Sequence, residues 1–97
     1  MTEGDASSLS GASRPRLPRG VRLKHDDIRK EWLLLAPERV LKTNAIAVEI
    51  LKRCTGEKSL DAIVDDLAST FTAERSRVDN DVRALLTELA TKRLVDL

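Results

Sequence analysis

Only one cysteine, Cys54, and one histidine, His25, occur in the 97 residues. A lone cysteine excludes an internal disulfide and fits a reducing compartment. A lone histidine excludes a multi-histidine metal site, and His25 with Cys54 would still need carboxylates from elsewhere in the chain. The four glycines are scattered, so no phosphate-cradling loop is present. Charge of one sign is also missing: 17 Lys and Arg stand against 16 Asp and Glu, interleaved, for a net charge of +1. Nothing in that balance draws the chain to nucleic acid, membrane or acidic substrate. No apolar run approaches the roughly 20 residues of a membrane span, and no signal-like apolar stretch follows Met1. A single cytoplasmic domain is expected, large enough to hold a core without metal or disulfide.

What is present falls into three parts. Residues 1–18 are rich in Ser, Gly, Ala and Pro, with Leu9 and Leu17 the only large apolar residues besides Met1. Such a composition buries too little to offset ordering, so a disordered N-terminal tail is expected over 1–18 and a folded domain over 19–97. From Gly20, Val21 and Leu23 alternate with Arg22 and Lys24, the period of a half-buried strand. Trp32 to Ala36 reads as a second strand, nearly continuously apolar and so expected to be covered on both faces, or on one by the tail. Pro37 marks a strand end, and Arg39 to Lys42 forms a third strand. Short connections make these an antiparallel meander.

Three amphipathic helices follow. Thr43 or Asn44 caps the first, whose Ala47, Ile50, Leu51 and Cys54 share a face, and Gly56 stands where a C-terminal glycine belongs. Ser59 caps the second, with a stripe of Leu60, Ile63, Val64, Leu67, Ala68 and Phe71. Thr72 is the expected cap of the third, which carries Val78, Val82, Leu85, Leu86 and Leu89. The expected class is therefore α+β: an N-terminal three-stranded antiparallel sheet followed by a three-helix bundle.

This order resembles a winged helix-turn-helix with its wing moved to the front, a fold that can bind DNA, but the charge pattern opposes that use. Arg75, Arg77, Arg83, Lys92 and Arg93 are nearly cancelled on the third helix by Glu74, Asp79, Asp81 and Glu88. Asp61, Asp65 and Asp66 on the second would face phosphates unrelieved, which opposes counterion release. Catalysis is equally poorly provided for. Cys54 lies on an apolar stripe, where free cysteine is an inert hydrophobe, and Asp65-Asp66 point apart on a helix. No enzyme activity is expected.

An open edge on the third strand offers more. A peptide can pair its backbone with Arg39 to Lys42 while alternate side chains enter a cleft walled by the third helix. Glu38, Arg39 and Lys42 would then meet charges along the peptide. Equally, the same charges can simply protect the edge, or the tail or a second copy can cover it. Residue patterns leave these two readings side by side.

The chain resembles the PqqD family of pyrroloquinoline quinone (PQQ) biosynthesis. The residues carrying the likeness are Pro15-Arg16-Leu17, Gly20-Val21-Arg22-Leu23, the run Trp32 to Leu41 and Ala47-Val48-Glu49-Ile50-Leu51, continued by Gly56, Ser59, Ile63 and Leu67. The whole run over residues 15–97, rather than one short motif, makes the likeness specific. It implies a peptide chaperone of the RiPP recognition element class that binds a ribosomal precursor peptide, PqqA. The chaperone presents this peptide to PqqE, a radical S-adenosylmethionine enzyme that cross-links a glutamate and a tyrosine. By matching elements, it places the peptide site on Glu38, Arg39, Val40, Leu41 and Lys42 and on Val82, Leu85, Leu86 and Leu89. It assigns no cofactor to this chain, since iron-sulfur clusters belong to the partner enzyme. A monomer is expected, or a weak homodimer because an exposed edge can pair with itself, with no nucleic-acid or membrane partner. A DNA-binding winged-helix protein and a general protein-interaction scaffold stand as alternatives.

Overall fold

The computed structural model describes residues 9–97. Three strands, β1 (Arg22–Asp26), β2 (Glu31–Ala36) and β3 (Arg39–Thr43), precede three helices, α1 (Ala45–Lys52), α2 (Leu60–Thr70) and α3 (Arg75–Thr91). The strands form one antiparallel sheet in the order β1-β2-β3, the meander expected from their short connections. The β1–β2 turn is built by Asp26, whose carboxylate accepts the backbone N–H groups of Ile28 and Arg29 at 3.0 and 3.2 Å. Lys30 completes it in the left-handed region at φ 55°.

Register decides what the sheet buries. Leu23, Leu34 and Leu41 lie opposite one another across the three strands, and Leu34 at their centre is wholly buried. Their shared face meets the helices, where Ile50, Leu51, Ile63, Val64, Val82 and Leu86 complete the core. The expectation that β2 is covered on both faces is corrected: only Leu34 is buried there, and its five neighbours are half-exposed. Its apolar run therefore includes Leu33 and Leu35 on a face that no helix covers.

Caps set the helix starts. Asn44 Oδ1 accepts from the Ala47 N–H at 2.8 Å, and Ser59 Oγ accepts from the Ala62 N–H at 3.2 Å. Two expectations fail at the α2–α3 turn. Helix α2 ends at Thr70, so Phe71 leaves the stripe and is 54% exposed. Thr72 sits in the left-handed region at φ 51° and Glu74 occupies the cap position of α3, without a side-chain cap. Gly56 has φ +85°, but it serves the loop after α1 rather than its cap, which is Arg53.

The largest departure concerns the N-terminal segment. The expected tail over 1–18 is corrected for residues 9–18; residues 1–8 lie outside those described. Leu9 and Pro15 are buried. Carbonyls of Ser13 and Gly11 accept the N–H groups of Leu60 and Asp61 at 2.7 and 3.0 Å, groups that the first turn of α2 leaves without helical partners. Arg16 exchanges backbone hydrogen bonds with Asp96 at 2.9 and 2.8 Å, while Pro15 O accepts from Gly56 N–H at 3.0 Å. Backbone hydrogen bonding orders this strap, which is why its side-chain composition conceals it.

Removing residues 1–13 is therefore expected to destabilise the domain by on the order of 2 kcal/mol, mainly through the lost burial of Leu9 and the lost carbonyl partners of the Leu60 and Asp61 N–H groups. Melting followed by circular dichroism checks this: a fall of roughly 10 °C is expected, and an unchanged midpoint would mean that the strap contributes nothing.

Candidate functional site

β2 occupies one side of β3, and no strand among the described residues pairs with the other. Two contacts place this open edge. At its start, Arg39 Nη2 donates to the Lys92 carbonyl at the end of α3, at 2.7 Å. At its other end the chain passes through the Asn44 cap into α1, whose Ala45 and Ile46 help line a cavity of about 400 Å³. The first half of α3 supplies Val78 and Val82 to the same cavity, and α2 with its turn supplies Leu67 and Phe71. Glu49, Arg77 and Asp81 add charged lining. β3 thus runs opposite in direction to α3, beginning beside its last turn and leading to an apolar cavity beside its first turns.

The structure brings some expected site residues to this edge and withdraws others. Glu38 is exposed in the β2–β3 turn. Leu41 faces the helices, half-buried against the core together with Val78 and Leu85. Val40 and Lys42 point to the opposite face, with Val40 65% exposed and Lys42 Nζ 3.7 Å from Glu31 Oε2. Of the four expected helix positions, Leu86 and Leu89 are buried in the core, Val82 is buried but also lines the cavity, and Leu85 stays half-exposed. A helix that closes a core must spend its most regular stripe there, and only the flank of that stripe remains for a ligand.

Residues outside the expected peptide site also line the cavity. Ile46 is 69% exposed and Phe71 54% exposed, both bordering the cavity. Ile46 carried a legible signal, as an apolar residue out of phase with Ala47, Ile50, Leu51 and Cys54. Phe71 did not, because it continues the α2 periodicity one residue past the helix end.

Ion pairing holds the cavity walls together. Arg53, after α1, donates through Nε to Asp66 Oδ2 of α2 at 2.7 Å, and through Nη1 to Glu49 O and Oε1 at 2.7 and 3.0 Å. Hydrogen bonding to Arg53 holds both the Asp66 and Glu49 carboxyls below their ordinary range. Two of the three arginines of α3 are similarly engaged, Arg75 with Asp65 and Asp61 and Arg83 with Asp79, and Lys92 just past the helix pairs with Glu88. Such pairing leaves Arg77 as the one α3 cation without an ion pair among the described residues, a poor footing for phosphates.

Chemistry elsewhere is muted. Cys54 is 4% exposed, its Sγ donates to the Ile50 carbonyl at 3.3 Å, and burial pushes its thiol up to about 12. His25 is exposed, 2.7 Å from Asp27 Oδ1 and edge-on to Trp32 at 4.9 Å between ring centroids. No cluster of three metal-ligating side chains occurs among the described residues. No helix among them is long and apolar enough to cross a membrane. An open strand edge leading to an apolar cavity is suited to holding an extended peptide.

Comparison with known proteins gives the same direction. The family model described as Coenzyme PQQ synthesis protein D (PqqD) matches residues 31–95. A protein of Rhodopseudomonas palustris (strain BisB5) named PqqA binding protein is 51% identical over 85 residues, covering 88% of this chain and 83% of its own. The solution structure of the PqqD truncation of Methylobacterium extorquens PqqCD, described as a functional stand-alone RiPP recognition element, matches with TM-score 0.81 and 37% identity. That match covers 95% of this chain and 98% of that one. TbiB1 in complex with the TbiA(beta) leader peptide matches with TM-score 0.70 and 25% identity, over 84% and 94% of the two chains.

Two outcomes test this electrostatic description. In the folded protein near pH 8, Cys54 is expected to react with iodoacetamide at least roughly 100-fold more slowly than in urea, since so raised a thiol supplies little thiolate. Comparable rates in the two states would contradict its burial. The lowered Asp66 and Glu49 carboxyls contribute stability above the ordinary carboxylate range, and this is lost as pH falls through their folded values. Denaturation of the wild type and Asp66→Asn between pH 6 and pH 2 should show a shallower acid-side loss in the variant; parallel curves would deny Asp66 that role.

Proposed function

The chain belongs to the PqqD family, coenzyme PQQ synthesis protein D, and we propose that it is a peptide chaperone of pyrroloquinoline quinone biosynthesis that binds the precursor peptide PqqA. The peptide adds as a fourth strand at the free edge of β3. In that form it is presented to the radical S-adenosylmethionine enzyme PqqE, which cross-links its glutamate and tyrosine. The observation that carries this reading is the open β3 edge ending at the apolar cavity between α1 and α3. The peptide-binding name of the relative and the leader peptide held by the structural neighbour support it. Names given for binding and recognition also favour a binding role over catalysis.

Physical chemistry assigns the parts. Unpaired N–H and C=O groups along Arg39–Thr43 supply main-chain hydrogen bonds that any sequence can make. Side chains supply the selection. Every second residue of the added strand turns towards Leu41, Leu85 and the cavity, where an apolar side chain gains burial against Ile46, Phe71 and Val78. Ordering the peptide here spends its conformational freedom before the enzyme acts, so its reactive residues reach the enzyme at lower entropic cost.

Titration of the labelled protein with PqqA peptide, read by amide shifts and hydrogen exchange, is the test. Shifts are expected at Glu38–Lys42, Ile46 and the first half of α3, with new exchange protection on alternate amides of β3. Ile46→Asp, at an exposed position, should leave the fold intact and weaken binding by roughly tenfold or more. Uniform protection, or full affinity in that variant, would place the peptide elsewhere.

A further inference from the structure

Side-chain alternation divides β3 between two faces. Val40 and Lys42 point outwards, whereas Arg39, Leu41 and Thr43 share the parity of Leu34 and face the helices. A contact agrees with that parity: the Arg39 guanidinium crosses to the end of α3 and donates through Nη2 to the Lys92 carbonyl at 2.7 Å. Arg39 is the one charged side chain on this face of β3. The wall along β3 therefore has a fixed order. A guanidinium stands at its start, Leu41 beside the core follows, and beyond Thr43 lies the apolar cavity.

Arg39 is also free to bind. It is exposed, and its guanidinium has no partner besides the Lys92 carbonyl and no ion pair among the described residues. The neighbouring acids do not neutralise it: Glu38 in the preceding turn makes no ion pair with it, and Glu88 of α3 is held by Lys92 at 3.1 Å. One of the five donors of the fork is used, so most remain open at the mouth of the groove. A guanidinium so placed matches a carboxylate, which it binds through two parallel hydrogen bonds. Arg93, exposed next to Lys92 in the chain, adds positive charge that offsets the negative end of the α3 dipole. At the cavity end, Arg77 is offset by Asp81 one turn on, and Glu49 is held by Arg53. Only the Arg39 end thus favours an anion.

We propose that Arg39 sets the specificity and register of this groove by pairing with one carboxylate of the peptide. Resting on the strand addition proposed above, the ligand class is an extended segment with an Asp or Glu opposite Arg39 and apolar residues on the same face. That face recurs at every second residue, so the carboxylate and its apolar partners stand an even number of residues apart, the nearest of them opposite Leu41. A slip of one residue turns the carboxylate to the outer face beside Val40. A slip of two towards the cavity sets it against Leu41, where a charge loses its water without gaining a partner.

The experiment is a double-mutant cycle between the full chain and PqqA peptide. Each Asp and Glu of the peptide is replaced in turn by Asn or Gln and titrated into wild type and Arg39→Gln, with amide hydrogen exchange on β3 read in every complex. One replacement is expected to weaken binding to the wild type by roughly fivefold or more, yet to change affinity for Arg39→Gln by less than about twofold. Arg39→Lys should recover only part of the loss, since an ammonium lacks the planar fork. Should Arg39→Gln fold poorly, a peptide with that carboxylate exchanged with its neighbour decides on the wild type, where a move of one residue should cost as much as removal. Replacements that all leave wild-type affinity unchanged, or that cost the same in both proteins, would overturn the proposal. Protection on alternate β3 amides in that event would leave strand addition standing, whereas no protection on β3 would remove strand addition and this pairing together.

Discussion

The antiparallel register of β2 with β3, which sets Leu34 opposite Leu41, is the constraint from which the other features of this protein follow. Side chains alternate along a strand, so this one pairing sends Leu41 to the helices and Val40 and Lys42 to the opposite face. A slip of one residue would bury Lys42 and expose Leu41, and the wholly buried Leu34 makes such a slip costly. The same pairing uses up one side of β3 and leaves the other open. The open edge, the inward-facing Leu41 and the outward-facing Val40 are thus consequences of one register.

The helices make that edge usable. α3 is fastened to the start of β3 through Arg39 and the Lys92 carbonyl, and its first half faces α1 across the cavity. Arg53 ties α1 to α2 by bonding Asp66 and Glu49 together. The strap over residues 9–18 joins the first turn of α2 to the last residues of the chain, through Ser13 and Leu60 and through Arg16 and Asp96. A groove for a flexible peptide is in this way given rigid walls, so that the ordering cost falls on the ligand and not on the receptor.

Strands, their order and two of the three helix caps were legible because each rests on neighbours in the chain. Alternation at Val21 to Lys24, proline at 37, and Asn44 and Ser59 before apolar stripes are local signals with local causes. The candidate site was legible only in part. β3 was identified as an edge from strand order alone, but Leu86 and Leu89 look no different in sequence from the half-exposed Leu85. Phe71 continues a helical period that the helix itself abandons at Thr70. The strap was illegible for another reason: its partners are backbone groups of α2, and no side-chain pattern encodes them.

Local pattern thus settled the element order, the α+β class and the poverty of catalytic groups, because periodicity, capping and composition act within a few residues of chain. Long-range packing settled which apolar residues were left for a ligand, that residues 9–18 are bound, and that the outer sheet face is bare. Those outcomes depend on how the α3 stripe, the sheet face and the strap compete for one small core. That competition is resolved only when distant segments meet.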